Sequence, residues 1–177
     1  MELAFLKIDS GSPNIEEVKD LFETAFPEDE RPPFEMTLSF KGSDFFAIYE
    51  NKAFIGLADL VIYGETVYLF FFAIKEELRG KGYGSHVLQE LFRRFPNKRV
   101  FLLAEEIDGD YEDLPLRKRR IGFYERNGFV LSDTRIKEFG VDYRLLYHGG
   151  VVDKNDFLAT MRSILDEQIF KAFYSNI

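Results

Sequence analysis

Cysteine is absent from the 177 residues. That excludes disulfides, thiolate metal sites, iron–sulfur clusters and a cysteine nucleophile, and it fits a reducing cytosol. Tryptophan is also absent and histidine occurs only twice. No His/Asp/Glu cluster has metal spacing, so no metal is expected. Long hydrophobic runs are missing too. The stretch Val67–Ile74 falls far short of the ~20 apolar residues that cross a bilayer. The first seven residues carry Glu2 and no cationic stretch, so they do not read as a signal peptide. The expectation is a cytoplasmic protein with no membrane partner.

What is abundant is aromatic bulk, with 20 Phe and 9 Tyr, ample for a core without staples. The length suits one domain. The net charge is −8, unevenly spread. Residues 1–77 hold 16 acids against 6 bases, and residues 78–177 hold 15 against 17. The acidic first part repels nucleic acid and attracts cationic small molecules or basic peptides. The bases of the second part cluster at Arg79 and Lys81, at Arg93 and Arg94, and over Arg117–Arg120. They read either as solvated faces or as a holder for an anionic ligand.

Periodicity gives the element order. Residues 2–8 read as a strand. Ile15, Val18, Leu21, Phe22 and Ala25 fall at helical spacing until Pro27 stops them. An acidic loop, Pro27–Pro33, precedes a short helix at 34–40. Strands over 44–50, 53–62 and 66–74 are joined by tight turns as an antiparallel meander. A helix over 82–95 and a strand over 100–104 complete a βαβ crossover with the third meander strand. A charged loop, 105–116, leads to a helix at 117–127, then a hairpin of 129–139 and 141–147, then one amphipathic helix from Asp153 to Tyr174. The fold class is α+β: a single mixed, mostly antiparallel sheet with helices on both faces and the crossover at its centre. The division is a domain of residues 1–150 with a C-terminal helix in 151–177. That helix docks on the domain or on a partner chain, which leaves a homodimer open.

Arg79-Gly80-Lys81-Gly82-Tyr83-Gly84 joins an apolar strand to a helix. Glycines there let backbone N–H groups approach a ligand, and the helix N-terminus favours phosphate. The run is not a P-loop, since Gly80-Lys81 is followed by Gly82. It is one residue short of the dinucleotide fingerprint G-x-G-x-x-G.

The run instead resembles the R/Q-x-x-G-x-G/A motif of the GNAT acetyltransferase superfamily. Downstream, Phe123-Tyr124-Glu125-Arg126-Asn127-Gly128-Phe129 is similar to that family's second signature, a tyrosine at a helix end before a Gly-Phe strand start. The element order agrees with the family fold, the extra C-terminal helix apart. The resemblance implies acetyl-CoA as cosubstrate. Its pyrophosphate would lie on residues 79–84, with Ser85 alongside. Its pantetheine arm would pair with the main chain of Phe72, Ala73 and Ile74, where two parallel strands splay apart. An amine would attack the acetyl carbonyl directly, with no covalent enzyme intermediate. A main-chain N–H near Ala73 or Ile74 would face the developing oxyanion. Tyr124 would give a proton to the departing thiolate.

For the general base, Glu105 or Glu106 stand first, with Glu65 and Tyr68 behind them and a water relay as the alternative. His86 and His148 read as structural. Where the family often carries an asparagine that contacts pantetheine, this chain has Arg117, which is expected to hold coenzyme A phosphate or to be a solvated cation. The acceptor site is expected at the acidic loop, through Glu28, Asp29, Glu30 and Arg31, with Glu35 nearby. Its acids favour a polyamine, an aminoglycoside-like polycation or a basic peptide terminus, and Arg31 favours a carboxylate. The rival functional readings are a non-catalytic coenzyme-A-binding sensor or regulatory module, and a nucleotide-binding protein of another class.

Overall fold

The computed structural model describes residues 2–138 and 140–174. The side chain of Asp29 and the strand-end residue Phe139, both named above, lie outside the described residues. The order is β1 (Leu3–Lys7), α1 (Ile15–Ala25), α2 (Phe34–Ser39), β2 (Ser43–Glu50), β3 (Ala53–Tyr63), β4 (Thr66–Ile74), α3 (Tyr83–Arg94), β5 (Arg99–Glu105), α4 (Leu114–Arg126), β6 (Val130–Glu138), β7 (Val141–His148), α5 (Lys154–Ile164) and α6 (Glu167–Tyr174). Among the described residues the seven strands form one mixed sheet in the order β1-β2-β3-β4-β5-β7-β6. β4 and β5 are its parallel pair, with Thr66, Val67 and Tyr68 opposite Arg99, Val100 and Phe101. The packing divides into two compact units. One takes the residues up to Val61 with Leu69–Pro96, and the other takes Ile62–Tyr68 with the residues from Asn97 onward.

The first unit is built on phenylalanine. Phe22 of α1 is fully buried and meets Phe34, Phe45 and Phe71 at ring distances of 5.3, 5.9 and 4.9 Å. Along β2, Phe45, Ala47 and Tyr49 join this cluster, so alternation sends Phe46 to the opposite face. There Phe46 meets Phe5, and Arg94 of α3 lies 4.4 Å over the Phe5 ring. The helices therefore cover both faces. The turn between β2 and β3 places Asn51 and Lys52 at φ 48° and 69°, the type I′ geometry that suits strand twist.

Asp59 of β3 is fully buried. One carboxylate oxygen accepts a bond from the Ser43 hydroxyl, and the other has no partner among the described residues. Burial pushes its carboxyl up to about 7; Asp44 nearby adds to the shift, and the Ser43 hydroxyl opposes it. A carboxyl raised on folding stabilises fully below its unfolded value of 3.8 and loses that contribution as the pH climbs to about 7. Asp59→Asn is expected to gain stability over the wild type across that window, which thermal melts on its two sides will check.

In the second unit Tyr68 stacks on Phe101 at 4.6 Å and meets Phe157 of α5 edge-on at 5.9 Å. Phe157 is fully buried, and Arg99 forks onto Asp156 at 2.8 and 3.1 Å. The C-terminal helical segment thus completes this unit's own core. It is two helices rather than the single one expected. The chain turns extended at Leu165 (φ −99°, ψ 146°), and the Asp166 carboxylate caps the new start by accepting from the N–H groups of Gln168 and Ile169 at 3.0 and 2.9 Å. A side-chain oxygen that satisfies two orphan donors starts a helix, and the apolar stripe hid that boundary. Similarly α4 begins three residues before the expected 117, because Pro115 fits its first turn.

Candidate active site

In the first unit, β4 leads into the glycine run. Lys75 donates its N–H to Ile55 O at 3.0 Å, and a Cβ on Gly56 would meet Ala73 O at 2.4 Å. The main-chain groups of Ala73 and Lys75 are therefore turned to β3. By alternation, Phe72 and Ile74 present theirs on the other edge of the strand. Ile74 O is taken by Arg79 Nε at 3.0 Å. The expectation of three equivalent residues narrows to Phe72 and the Ile74 N–H, and Arg79 is a brace for the loop as well as a charge beside it.

Gly80 and Gly82 stand at φ 74° and 87°, and a Cβ built on either meets nothing within 4 Å. Glycine is required there by backbone angle, while the space above both is open. Gly82 caps α3 without a side-chain bond, and the helix's first main-chain bond runs from the His86 N–H to Gly82 O at 3.1 Å. The N–H groups of Tyr83, Gly84 and Ser85 precede it and have no intrahelical acceptor. The first turn carries no acid, and Lys81 is exposed. The Tyr83 hydroxyl reaches back to donate to Glu50 at 2.9 Å, which fixes the start of α3. A cradle of bare amides at a positive helix end fits a diphosphate.

The acidic loop forms a single 3-10 turn, Glu28–Glu30. Arg31 donates from Nε to Phe26 O at 3.0 Å and lies 5.2 Å over the Phe22 ring, so much of its side chain is committed to the end of α1. Glu28 is exposed, and Glu30 is half-buried. Glu35 pairs with Lys19.

In the second unit Tyr124 lies in the last turn of α4, buried, with Phe123 and Phe129 edge-on at 5.2 and 5.6 Å. Gly128 ends the helix at φ 86°, and Phe129 returns its N–H to Tyr124 O at 3.1 Å. His148 bonds Gly128 O at 2.9 Å and so holds this corner, as a structural residue. The Tyr124 hydroxyl has no hydrogen-bond partner among the described residues. Burial pushes its phenol up to about 12, against a smaller opposing effect of the Arg120 charge.

The expected bases are otherwise engaged. Glu105 is ion-paired with Arg120. Glu106 is buried and accepts from Arg135 Nε at 2.7 Å, Arg144 at 3.3 Å and the N–H groups of Ile107 and Asp108 at 2.9 and 3.1 Å. Burial favours its neutral form, but the Arg135 bond, the two amides and the Arg144 charge together outweigh that and hold its carboxyl below the usual range. A carboxylate so satisfied is a poor proton acceptor, and Glu106 reads as a structural anchor rather than a base. Tyr68 is corrected likewise, being buried in a ring stack. Arg117 is corrected from a phosphate clamp to a loop clamp. It binds Asp113 at 2.7 Å and Glu106 O at 3.2 Å, and lies 4.2 Å over Tyr111. Apart from the Asp113–Arg117 pair, four residues apart, these engagements do not show in the sequence, because each partner is distant or lies in a loop.

Glu106→Gln removes one of the anions facing Arg144, itself buried, which keeps Asp108 at 3.0 Å and Asp133 at 3.4 Å. The expected loss is about 2 kcal/mol, below the range for a fully buried pair because Arg135 is exposed. A carboxyl lowered on folding stabilises above its unfolded value and loses that as the pH falls through its folded one. The gap between wild type and variant in urea unfolding should therefore be widest at neutral pH and close in acid.

Residues 15–129 match the model of the acetyltransferase (GNAT) family. The chain belongs to the GNAT acetyltransferase family. With the family come acetyl transfer and its acyl donor, acetyl-CoA. Among solved structures, the GNAT fold of this chain is similar to a GNAT-family protein of Bacteroides thetaiotaomicron (TM-score 0.74, 22% identity, covering 97% of this chain and 96% of that one). It is also similar to the aminoglycoside 6′-N-acetyltransferase of Enterococcus faecium (0.62, 14%, 84% and 96%). A third is Arabidopsis thaliana Naa50 in complex with the bisubstrate analogue CoA-Ac-MVNAL (0.57, 16%, 85% and 100%). No curated protein sequence matches the chain. No helix among the described residues is long and apolar enough to cross a membrane.

Proposed function

We propose that this GNAT protein moves the acetyl group of acetyl-CoA to a primary amine of a small molecule or a peptide, by direct attack. The observation that carries the reading is the Gly80–Gly82 cradle, whose open space and bare α3 amides suit a diphosphate. Acetyl-CoA supplies the activated carbonyl when bound. In this reading the residues 79–85 hold the pyrophosphate, Phe72 pairs with the pantetheine arm, and the Ile74 N–H faces the oxyanion. Tyr124 donates to the leaving thiolate. Water takes the amine proton, since Glu105 and Glu106 are engaged in ion pairs.

Glu28, Asp29 and Glu30 favour a cationic acceptor. The Enterococcus and Arabidopsis relatives, named for an aminoglycoside and bound to the bisubstrate analogue CoA-Ac-MVNAL, bracket the choice. We take residues 1–150 as the transferase and 151–177 as its appended segment, in a cytoplasmic protein; light scattering on the intact chain tests for a homodimer. Acetyl-CoA should raise the melting temperature, and NAD or ATP should not. Thiol release with a polyamine, an aminoglycoside and a free-amino peptide then identifies the acceptor. No shift with acetyl-CoA overturns the reading, and a shift with no turnover of any amine favours the binding module.

A further inference from the structure

The expected base Glu105 and Arg120, the last of the Arg117–Arg120 cations, form an ion pair. Arg120 stands four residues before Tyr124 on α4, which puts both on one helix face, one turn apart. The Arg120 charge opposes the upward shift of the phenol, and the rings of Phe123 and Phe129 lie edge-on to it at 5.2 and 5.6 Å, Phe129 in turn 5.9 Å from His148.

The chemistry makes that cation useful. In the acid step the Tyr124 O–H bond breaks, an S–H bond forms on the departing thiolate, and the electron pair stays on the phenol oxygen. A phenol held near 12 is a weaker acid than an ordinary thiol of about 8.5. Donation therefore leaves a phenolate in a buried site where charge is expensive. A guanidinium that never loses its proton, held by a carboxylate on the end of β5, offsets that charge without moving.

We propose that Arg120, fixed by Glu105, is a positioning residue of the reaction, whose charge stabilises the phenolate formed as Tyr124 protonates the leaving thiolate. This rests on the reading of Tyr124 as the acid.

Two measurements test it. In the free protein, a difluorotyrosine at position 124 brings the phenol titration into an accessible pH range for 19F NMR. Arg120→Gln should raise its midpoint by about one unit, a tenfold change in acidity, and Arg120→Lys should restore it. An ion pair that only tethers α4 to β5 would leave the midpoint unmoved, and that result overturns the proposal. In turnover, thiol release from acetyl-CoA, with the best amine or with water as nucleophile, should fall roughly fivefold in Arg120→Gln, at unchanged acetyl-CoA affinity. With the acetyl selenoester of coenzyme A, whose selenolate leaves without a proton, wild type and variant should converge. An equal defect with both donors overturns the proposal. Wild-type turnover in Tyr124→Phe instead overturns the acid assignment, leaving the NMR shift as a separate result.

Discussion

Gly82→Asp is expected to abolish acetyl-CoA binding while leaving the fold in place. Two effects combine. At φ 87° an L-residue is strained by about 1–2 kcal/mol, which tilts the loop away from its cradle shape. Because a Cβ meets nothing within 4 Å, the aspartate has room to fold and projects into the space the diphosphate would use. It sets a negative charge at a helix start that has no acid of its own. Losing two charge-assisted amide bonds to the diphosphate weakens binding by on the order of a thousandfold. Wild type should gain melting temperature with acetyl-CoA, and Gly82→Asp should gain none, with only a small drop in its unliganded value. Gly82→Ala separates the causes, since it carries the strain without the charge and should keep part of the shift. An undiminished shift in the aspartate variant would remove the diphosphate from this loop.

Tyr124→Phe has the opposite signature. The hydroxyl has no hydrogen-bond partner among the described residues, so its removal leaves no buried group stranded and stability should change little. Acetyl-CoA should still raise the melting temperature fully. Turnover should fall by roughly a hundredfold, the lower range for loss of a general acid. With the phenol near 12, Tyr124 is protonated at every working pH. The wild-type rate should therefore rise with pH as the acceptor amine deprotonates, with no descending limb from the tyrosine. A descending limb near neutrality would assign the acid to another group.

The strand meander, the crossover and both signature segments were legible because each is local. Apolar runs between turn signals marked β2–β4, helical spacing marked α1 and α3, and glycine at loop and cap positions marked residues 80, 82 and 128. The break at Leu165 was hidden because apolar spacing runs across it, and only the Asp166 cap ends one helix and starts the next. The roles of charged side chains were the least legible. Arg117, Glu106 and Arg31 looked like site residues by position and charge, yet their bonds go to a loop, to two distant arginines and to a helix end.

By itself the sequence determined the family and the glycine run at the start of α3, and it offered Tyr124 as the acid to test, since those depend on residue types at fixed short spacings along the backbone. Only the tertiary structure decided which cations and carboxylates are engaged and which remain for chemistry. A charge acts on whatever lies within a few ångströms of it, and β5, β6 and β7 bring together residues that the chain keeps dozens of positions apart.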